Sequence, residues 1–407
     1  MFEMRHALIA YWSARRIRTR AQLDAVHDAR LQRWLRDVVP SVPFYRDVAA
    51  PQLDDLPITD KATLMADFSR FNSAGITNDQ GWAAFAGDKM IGNLIVGAST
   101  GTSGNRGLFV ISQAERFRWL GTMLAKALPG FWRERHRVAI LLPLNTPLYD
   151  SANRARRLKL RYFDIGGDWR DDLNRFDPTV IVAPPKILRQ MAETGLAPRP
   201  QRIFAAAETL DPLDRAVAEA HFGITFGQIY MATEGLMAVS CAHGKLHLCE
   251  DTMHFELPSV GDGLHEVIIS DFSRQVQVMA RYRMNDLVRL GPACPCGLPH
   301  RTLAEVVGRM DDCFDMDGVL LTPDILRNAV VDADRSVTDF RIIRTGVAEI
   351  EVLVNDGTDL DAVICAVQGL LAQKRVRATV MARHAALQPD PGRKLRRVEN
   401  RYRPCGS

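Results

Sequence analysis

The stretch that decides the fold is Val96-Gly97-Ala98-Ser99-Thr100-Gly101-Thr102-Ser103-Gly104-Asn105-Arg106-Gly107. It lies between two apolar, strand-like runs at 93–96 and 108–112. Glycines allow the backbone to approach a ligand closely, and consecutive backbone N–H groups can surround an anion. The stretch therefore predicts a polyphosphate-binding loop, with a flexible surface hairpin as the alternative for the loop taken alone. It is not a Walker A loop, because no Gly-Lys-Ser or Gly-Lys-Thr follows the glycines.

Short apolar runs and longer helical stretches alternate on the C-terminal side of this loop. The expected strands are 138–142, 180–183 and 202–205, and the expected helices are 114–128, 186–194 and 212–221. Such alternation is typical of a mostly parallel sheet with helices packed on it. Residues 1 to about 90 read as mostly helical, whereas strand-like runs, including 266–270 and 276–282, dominate between 254 and 289.

The pattern changes after Arg309. We expect a helix at 323–333, strands at 340–345 and 349–354, a helix at 360–372 and a strand at 377–382. This order fits a small two-layer α/β unit. The sequence thus predicts an α/β fold with a large, multi-layer N-terminal domain at 1–308 and a small C-terminal lid domain at 309–407.

Composition excludes several classes of protein. The 407 residues are 47% hydrophobic and 25% charged, with a net charge of +4, which is too small for this length to indicate nucleic-acid binding. No run approaches the roughly 20 apolar residues of a membrane span, and the N-terminus does not resemble a signal peptide. Together with the unpaired-looking Cys313, Cys365 and Cys405, this favours a reducing, cytoplasmic location.

Four later segments concentrate hydroxyl, acidic and basic side chains. They are Gln228–Gly235, Arg281–Asp286, Gly308–Asp312 and Gly392–Arg397. In this order and spacing they resemble the adenylate-forming superfamily of acyl-CoA synthetases, adenylation domains and luciferases. The flanking segments are most similar to the phenylacetate-CoA ligase branch and to its deazaflavin-coenzyme-adenylating relatives. These flanks are Val42–Arg46, Leu56–Lys61 and Cys294–Gly297.

The resemblance implies an ATP- and Mg²⁺-dependent enzyme that activates a carboxylic acid, expected to be aromatic, as an acyl-adenylate. It would then transfer the acyl group to a thiol, either of CoA or of the phosphopantetheine of an acyl carrier protein. The lid would be mobile and would swing about Asp311. Two other functions stay open: an adenylyltransferase that places AMP on a hydroxyl of a small molecule or coenzyme, and a non-catalytic, zinc-containing scaffold. A homodimer also stays open.

The resemblance further implies roles for single residues around the reacting groups. The β- and γ-phosphates would be held by Ser99, Thr100, Gly101, Thr102, Ser103 and Gly104. Thr233 would contact the α-phosphate, and Glu234 would hold Mg²⁺. Lys394 would bridge the α-phosphate and the carboxylate of the acid.

The nucleoside would be held by a second set of residues. Ala207 and Glu208 would line the adenine and acyl pockets, and Tyr230 would stack on adenine. Asp286 would accept hydrogen bonds from both ribose hydroxyls, with Arg309 near the same ribose. In isolation, such residues are more often helix caps, turn residues or a basic tail, and only the order of the motifs favours the catalytic interpretation.

Two clusters of soft ligands suggest a metal. They lie at 241–249 and 294–297, and sulfur and nitrogen ligands suit tetrahedral zinc. The resemblance assigns the structural zinc ligands as Cys241, His247, Cys294 and Cys296, with His243 and Cys249 as possible substitutes. Reduced, buried thiols are the alternative.

The sequence departs from the family pattern at two places that concern charge. Asn105 and Arg106 stand where the loop commonly carries a lysine, and Arg106 could supply the charge with a different geometry. Asp315 and Asp317 would repel the phosphates of CoA if they faced the acceptor tunnel. Adenylation is therefore better supported than transfer to CoA, and the arm of a carrier protein is a credible acceptor.

Overall fold

A computed structural model describes residues 2–48, 52–99, 106–142, 157–387 and 394–403. Its helices, numbered in chain order, are α1 (Phe2–Arg16), α2 (Arg20–Asp37), α3 (Lys61–Ala66), α4 (Asn78–Ala86), α5 (Gln113–Ala127), α6 (Arg170–Phe176), α7 (Pro185–Glu193), α8 (Pro212–Phe222), α9 (Pro323–Val331) and α10 (Leu360–Gln373). Its strands are β1 (Met90–Ile91), β2 (Leu94–Ala98), β3 (Leu108–Ser112), β4 (His136–Ile140), β5 (Leu158–Tyr162), β6 (Val180–Ala183), β7 (Arg202–Ala206), β8 (Gly227–Ala232), β9 (Gly235–Ser240), β10 (Leu246–Leu248), β11 (Met253–Glu256), β12 (Ser259–Gly261), β13 (Leu264–Asp271), β14 (Tyr282–Leu290), β15 (Thr302–Arg309), β16 (Phe314–Met316), β17 (Val319–Leu321), β18 (Phe340–Gly346), β19 (Glu349–Val354), β20 (Thr379–His384) and β21 (Val398–Asn400). The expected α/β class is confirmed.

The N-terminal region is helical, as expected, and its helices begin where side chains cap them. At the start of α2, Thr19 and Gln22 form a reciprocal capping box, which satisfies backbone N–H groups that a helix start leaves unpaired. The helix buries Leu31 and Trp34, and the Trp34 indole donates a hydrogen bond of 2.8 Å to the Arg274 carbonyl. None of the described helices combines the length and the apolar composition that a membrane span requires.

The central sheet has a parallel half and an antiparallel half. Among the described residues it contains twelve strands, in the order β11-β13-β14-β15-β10-β9-β8-β7-β6-β4-β5, with β12 beside β13. Strands β4 to β8 pair in parallel, as the alternation of helices and strands predicts. From the β8–β9 pair onwards the pairing is antiparallel. The change occurs at a two-residue turn, Thr233-Glu234, because Ala232 pairs with Gly235.

The prediction of a strand at 276–282 is wrong. The chain bends at 276 and at 280–281, forms an isolated bridge between Gln277 and Asn72, and enters β14 only at Tyr282. Arg281 interrupts the extended chain, because its φ of 47° lies in the left-handed region. The apolar residues of this segment are nevertheless buried, which explains why their pattern resembles a strand.

The C-terminal residues build a second, smaller α/β layer. Strands β20-β19-β18-β21 form a four-stranded sheet, and α9 and α10 share its buried apolar cluster. The order helix, strand, strand, helix, strand agrees with the expectation, whereas β21, which pairs in parallel with β18, was not expected. The division of the chain at Gly308–Arg309 and the mobility of the lid stay predictions.

Helices α1 and α5 pack with their backbones in close approach. Gly121 lies on α5 at the contact, where an added Cβ would come within 2.1 Å of the Ala7 carbonyl oxygen. Since no side chain fits there, glycine sets the distance between the two helices. The Tyr11 hydroxyl of α1 also donates a hydrogen bond of 2.7 Å to the Pro129 carbonyl, just beyond α5.

We expect Gly121→Ala to lower the free energy of unfolding by about 1–3 kcal/mol, because α1 and α5 must move apart. Gly369→Ala in α10 is the matched control. Gly369 is exposed and nothing lies within 4 Å of an added Cβ, so this change should stabilise by about 0.4–1 kcal/mol. Urea unfolding followed by circular dichroism measures both. Equal stability of the two variants would contradict the close approach.

Candidate active site and metal centre

A cavity of about 870 Å³ opens where the two halves of the sheet meet the C-terminal segment. It brings together side chains that the sequence analysis singled out from distant segments. Its walls include Ser99, Ala207, Thr233, Glu234, Asp286, Arg309, Asp311 and Lys394. Thr100, Gly101, Thr102, Ser103 and Gly104 lie outside the described residues. Tyr230 and Glu208 are not among the described residues that line the cavity, but Tyr230 contacts Asp286 and Glu208 contacts Leu395, the neighbour of Lys394.

The β8–β9 turn presents Glu234 to the cavity in a fixed orientation. The Thr233 hydroxyl donates to one carboxylate oxygen of Glu234 at 2.8 Å, and the Tyr282 hydroxyl donates to the other at 3.1 Å. Arg274, which also lines the cavity, holds the turn by donating to the Thr233 carbonyl at 2.7 Å. Burial and the nearby Glu234 raise the pKa of Tyr282 far above its usual value, so Tyr282 is a permanent donor to this carboxylate.

Asp286 and Arg309 are direct partners on the neighbouring strands β14 and β15. The Tyr230 hydroxyl donates to Asp286 at 2.7 Å. Burial raises the pKa of Asp286, and the hydrogen bond from Tyr230 and the charge of Arg309 oppose that shift. The stacking of Tyr230 on adenine stays a prediction, since the contact that the structure shows is the one between its hydroxyl and Asp286.

Lys394 enters the cavity from the C-terminal segment. Burial and the charge of Arg309 lower its pKa, while Asp286, Glu208 and Glu234 raise it. The next residue, Leu395, connects this segment to the part of the chain before residue 309, called the large part below. Its backbone N–H donates to Glu208 at 3.3 Å.

Glu208 is itself buried in an ion pair. The Lys186 ammonium lies 3.2 Å from its carboxylate, and both side chains are almost inaccessible to solvent. Burial raises the pKa of Glu208, against the effect of Lys186. Ala207, with a φ of 69°, lines the cavity. The Ala207–Glu208 segment therefore contributes a wall residue and an anchor for the C-terminal segment.

At the base of the predicted phosphate loop, the structure reveals a lysine that the sequence analysis missed. Lys61 lines the cavity, and its ammonium lies 3.5 Å from the Ser99 hydroxyl. Asp60 caps α3 by accepting from the Thr63 N–H at 2.8 Å, which fixes Lys61 at the first position of the helix. Burial lowers the pKa of Lys61, and Glu234 opposes this shift. The segment Leu56–Lys61 is one of the flanks that carry the resemblance, but its lysine was given no role in the sequence analysis.

Arg106, proposed from the sequence as a source of charge for the loop, has other contacts. It donates to the Ser99 carbonyl at 3.2 Å, and its guanidinium lies over the rings of Trp82 and Phe85 at 5.4 and 5.2 Å. Such stacking stabilises a guanidinium on an aromatic face. Arg106 therefore supports the base of the loop.

The four predicted zinc ligands come together about the β9–β10 turn and the β14–β15 loop. The ligand atoms of Cys241, His247, Cys294 and Cys296 all lie within 4.8 Å of one another. The Cys241 and Cys294 sulfurs are 3.7 Å apart, and the Cys296 sulfur lies 3.3 Å from His247 Nε2. Zn–S bonds of about 2.3 Å place two sulfurs of a tetrahedral site about 3.8 Å apart. The spacing of the donors thus fits a tetrahedral ion.

The surroundings of this cluster also suit a metal. His247 Nδ1 lies 3.3 Å from the His300 carbonyl, so a proton on Nδ1 leaves Nε2 for the ion. Burial lowers the pKa of His247 to about 4, which favours the neutral ring. The backbone N–H of His243 donates to the Cys241 sulfur at 3.4 Å. Cys249 is buried outside the cluster, and burial raises its pKa to about 12.

Comparisons with known proteins concern the chain as a whole. No family model matches the chain. Phenylacetate-coenzyme A ligase of Pseudomonas putida is 26% identical over 349 residues, which cover 76% of each chain. The crystal structure of 2-hydroxyisobutyryl-CoA ligase in the postadenylation state matches with a TM-score of 0.71 at 17% identity, and the match covers 94% of this chain and 90% of that one. The same ligase in the thioesterification state gives 0.56 at 18% identity, over 93% and 90%.

Proposed function

We propose that this chain, a member of the adenylate-forming superfamily, uses ATP to activate a carboxylic acid as an acyl-adenylate and then transfers the acyl group to the thiol of CoA. The observation that carries the proposal is the meeting of Lys394, Glu234 and Asp286 in one cavity. These residues come from three separate segments, and each segment matches a motif of the superfamily. The similarity to phenylacetate-coenzyme A ligase supports the same class of reaction.

The first half-reaction joins a carboxylate oxygen of the acid to the α-phosphorus of ATP. The bond from that phosphorus to the bridging oxygen breaks, and pyrophosphate leaves. The protein has to position two anions and stabilise the charge that develops between them. Lys394 suits this task, because an ammonium can contact oxygens of both reactants as a point charge. In the second half-reaction the thiol attacks the acyl carbon, and AMP leaves.

Glu234 fits the requirement for a magnesium ligand. Mg²⁺ prefers oxygen ligands, and this carboxylate lines the cavity while two hydroxyl donors orient it. Bound Mg²⁺ would neutralise charge on the phosphates. Thr233, in the same turn, would contact the α-phosphate. Arg274 and Tyr282 would act by positioning these two residues.

The nucleoside would occupy the side of the cavity formed by β14 and β15. Asp286 would accept hydrogen bonds from the ribose hydroxyls, and Tyr230 would keep its carboxylate in place. Arg309, paired with Asp286 across the two strands, would lie near the same ribose. Ala207 would form part of the adenine pocket.

The leaving phosphates would lie at the loop that begins with Ser99. Lys61 supplies an ammonium there, and it comes from a different segment than the lysine that such loops commonly carry. We therefore assign the neutralisation of the leaving pyrophosphate to Lys61 together with the loop. This assignment accounts for the absence of a lysine after the second glycine.

The acid would lie against the apolar side of the cavity. Phe109, Ile111, Trp119, Leu142 and Ile229 contribute to that wall. Aromatic and aliphatic side chains of this kind suit an aryl or other apolar acyl group. The aromatic acid thus remains the first substrate class to test.

CoA is the proposed acceptor, by similarity to phenylacetate-coenzyme A ligase. The exposed Asp315 and Asp317, whose charges make a carrier-protein arm a credible acceptor, lie on a hairpin of β16 and β17. Arg344 donates to the Asp315 carbonyl at 2.7 Å, so a cation lies beside these acids. A carrier-protein arm stays a prediction, whereas the adenylyltransferase and the non-catalytic scaffold are not favoured by relatives that are acid–CoA ligases.

A structural zinc ion is the remaining part of the proposal. Four protein ligands would close its coordination sphere, which is the arrangement of structural rather than catalytic zinc. The ion would link the β9–β10 turn to the β14–β15 loop. The match of donor spacing and the His247–His300 contact support it.

The wild type should exchange labelled pyrophosphate into ATP in the presence of an acid from a panel of aryl and fatty acids. Lys394→Ala should slow this exchange by about 100-fold or more, because a transition-state contact is lost, while thioester formation from preformed acyl-AMP and CoA should persist. Arg401→Ala, which removes an exposed arginine of the same segment, is the control. Equal losses in both half-reactions would contradict the role of Lys394, and AMP transfer to a hydroxyl without thioester would overturn the proposed function.

Lys61→Ala should lower kcat/KM for ATP by about 10- to 100-fold, through the loss of one phosphate contact, with little change in melting temperature. Lys159→Ala, an exposed lysine on β5, should leave both quantities unchanged. Steady-state kinetics with varied ATP provides the measurement. Wild-type kinetics in Lys61→Ala would remove this residue from the phosphate site.

Purified protein should contain close to one zinc ion per chain by elemental analysis. Cys296→Ser should lose the metal and lower the melting temperature, because a structural ion contributes folding free energy. Cys365→Ser removes an exposed thiol on α10 and is the control. Metal-free wild-type protein that melts at the same temperature with and without added zinc would rule out the site.

A further inference from the structure

A network of four charged side chains lies where the C-terminal segment that contains Lys394 meets the large part of the chain; Asp214 is buried and the other three are partly buried. The four are Arg189, Asp214, Arg397 and Asp339. Arg397 makes two hydrogen bonds to the Asp214 carboxylate, at 2.6 and 3.0 Å. The side chains of Arg397 and Asp214 are 10% and 1% exposed. The pair is therefore largely shielded from solvent, unlike an ion pair on the surface.

Each half of this network also has a partner on its own side. In the large part, Arg189 of α7 lies 3.1 Å from Asp214 of α8. In the C-terminal part, Arg397 donates to Asp339 at 3.0 Å. Separation of the two parts would break the Arg397–Asp214 pair, the longer Arg397–Asp211 contact of 3.9 Å and the hydrogen bond of 2.8 Å from Arg189 to the Thr338 carbonyl. Asp214 and Arg397 would each still have an opposite charge nearby.

The same segment is fastened at three consecutive residues. The Leu395 N–H donates to Glu208, Arg396 pairs with Asp312, and Arg397 pairs with Asp214. Arg397 follows Lys394 by only three residues, so the position of its guanidinium limits where the Lys394 ammonium can lie. Asp312 directly follows Asp311, the predicted hinge residue, which exchanges two hydrogen bonds with Asn285 of β14.

We propose that the Arg397–Asp214 ion pair is a releasable latch that positions Lys394 in the cavity for adenylation and opens for transfer to the thiol. The inference rests on the proposed function, since it assigns the pair to one of two half-reactions. Arg397 and Asp214 are positioning residues, because they act through Lys394 and touch no reacting group.

The internal partners explain why such a deeply buried pair can open. Removing one partner of a buried pair is costly, because the other charge is left uncompensated. When the pair opens, Asp214 still has Arg189 and Arg397 still has Asp339 as an oppositely charged partner. Neither charge is then left uncompensated. The pair between Lys374 and Asp262 also joins the two parts, but its side chains are 32% and 69% exposed, so it should contribute little.

The test compares three variants in the two half-reactions. Asp214→Asn should slow pyrophosphate exchange by about 10- to 100-fold, because the closed orientation loses its latch, and thioester formation from preformed acyl-AMP should be unchanged. Asp339→Asn should show the reverse split, since it leaves the latch intact and removes the partner that Arg397 needs after release. Lys374→Gln should affect neither rate by more than about twofold.

Hydrogen exchange gives a readout that needs no substrate. Residues 394–403 should exchange faster in Asp214→Asn than in the wild type and in Lys374→Gln. If Asp214→Asn fails to fold, Arg397→Lys, which keeps the charge and loses the double hydrogen bond, replaces it. Unchanged exchange in residues 394–403, or equal losses in both half-reactions, would overturn the latch. Failure of the wild type to exchange pyrophosphate with any acid would instead overturn the proposed function, and the hydrogen-exchange arm would still test the latch.

Discussion

The site depends on the point at which the central sheet changes from parallel to antiparallel pairing. The strands of the parallel half end at one edge, where ligands of open α/β sheets commonly bind. Because β9 returns directly beside β8, the two turn residues Thr233 and Glu234 stay at that edge. The antiparallel half then curls back towards it. The hydrogen bond from Tyr230 to Asp286 joins β8 to β14, although β9, β10 and β15 lie between them in the sheet.

Hydroxyl donors and ion pairs hold different groups around the cavity. The Glu234 carboxylate, which lines the cavity, has two hydroxyl donors that keep it in one orientation. Ion pairs hold other carboxylates, both within the large part of the chain, as for Lys186 with Glu208 at 3.2 Å, and between the two parts, as for Arg289 with Asp324 at 2.8 Å. Hydroxyl contacts thus orient a carboxylate that faces the cavity, whereas ion pairs connect the segments around it.

Much of the fold could be predicted from the sequence, because its elements carry continuous local signals. The expected strand at 180–183 and the expected strand at 108–112 coincide with β6 and β3. The three-residue β21 was missed, because it is too short and too polar to give a periodic pattern. The cysteine and histidine cluster and the cavity residues were predicted from the order of their motifs along the chain, which the resemblance made informative.

Other features depend on contacts that no local pattern records. Lys61 is a single lysine at the start of a short helix, and only the fold places it beside Ser99. In the sequence, Asp317 differs from the family pattern by its charge. In the structure, its φ of 56° and the φ of 78° at Gly318 show that the two residues form a hairpin turn. Asp-Gly is a preferred sequence for such a turn. A residue can thus depart from a family pattern for a conformational reason that the sequence does not separate from a functional one.

The predicted metal centre lies at the opposite ends of strands that carry the candidate active site. β9 connects Glu234, just before its first residue, to Cys241, just after its last, and the loop that joins β14 to β15 holds Cys294 and Cys296. Between the two places, the β14–β15 ladder shifts its register twice, after Leu287 and after Arg289. A slip of one residue would turn alternate side chains to the other face of the sheet. An ion bound at the loop would keep the pairing register of β14 and β15 fixed. Asp286 and Arg309 would then stay opposite one another at the other end of these strands.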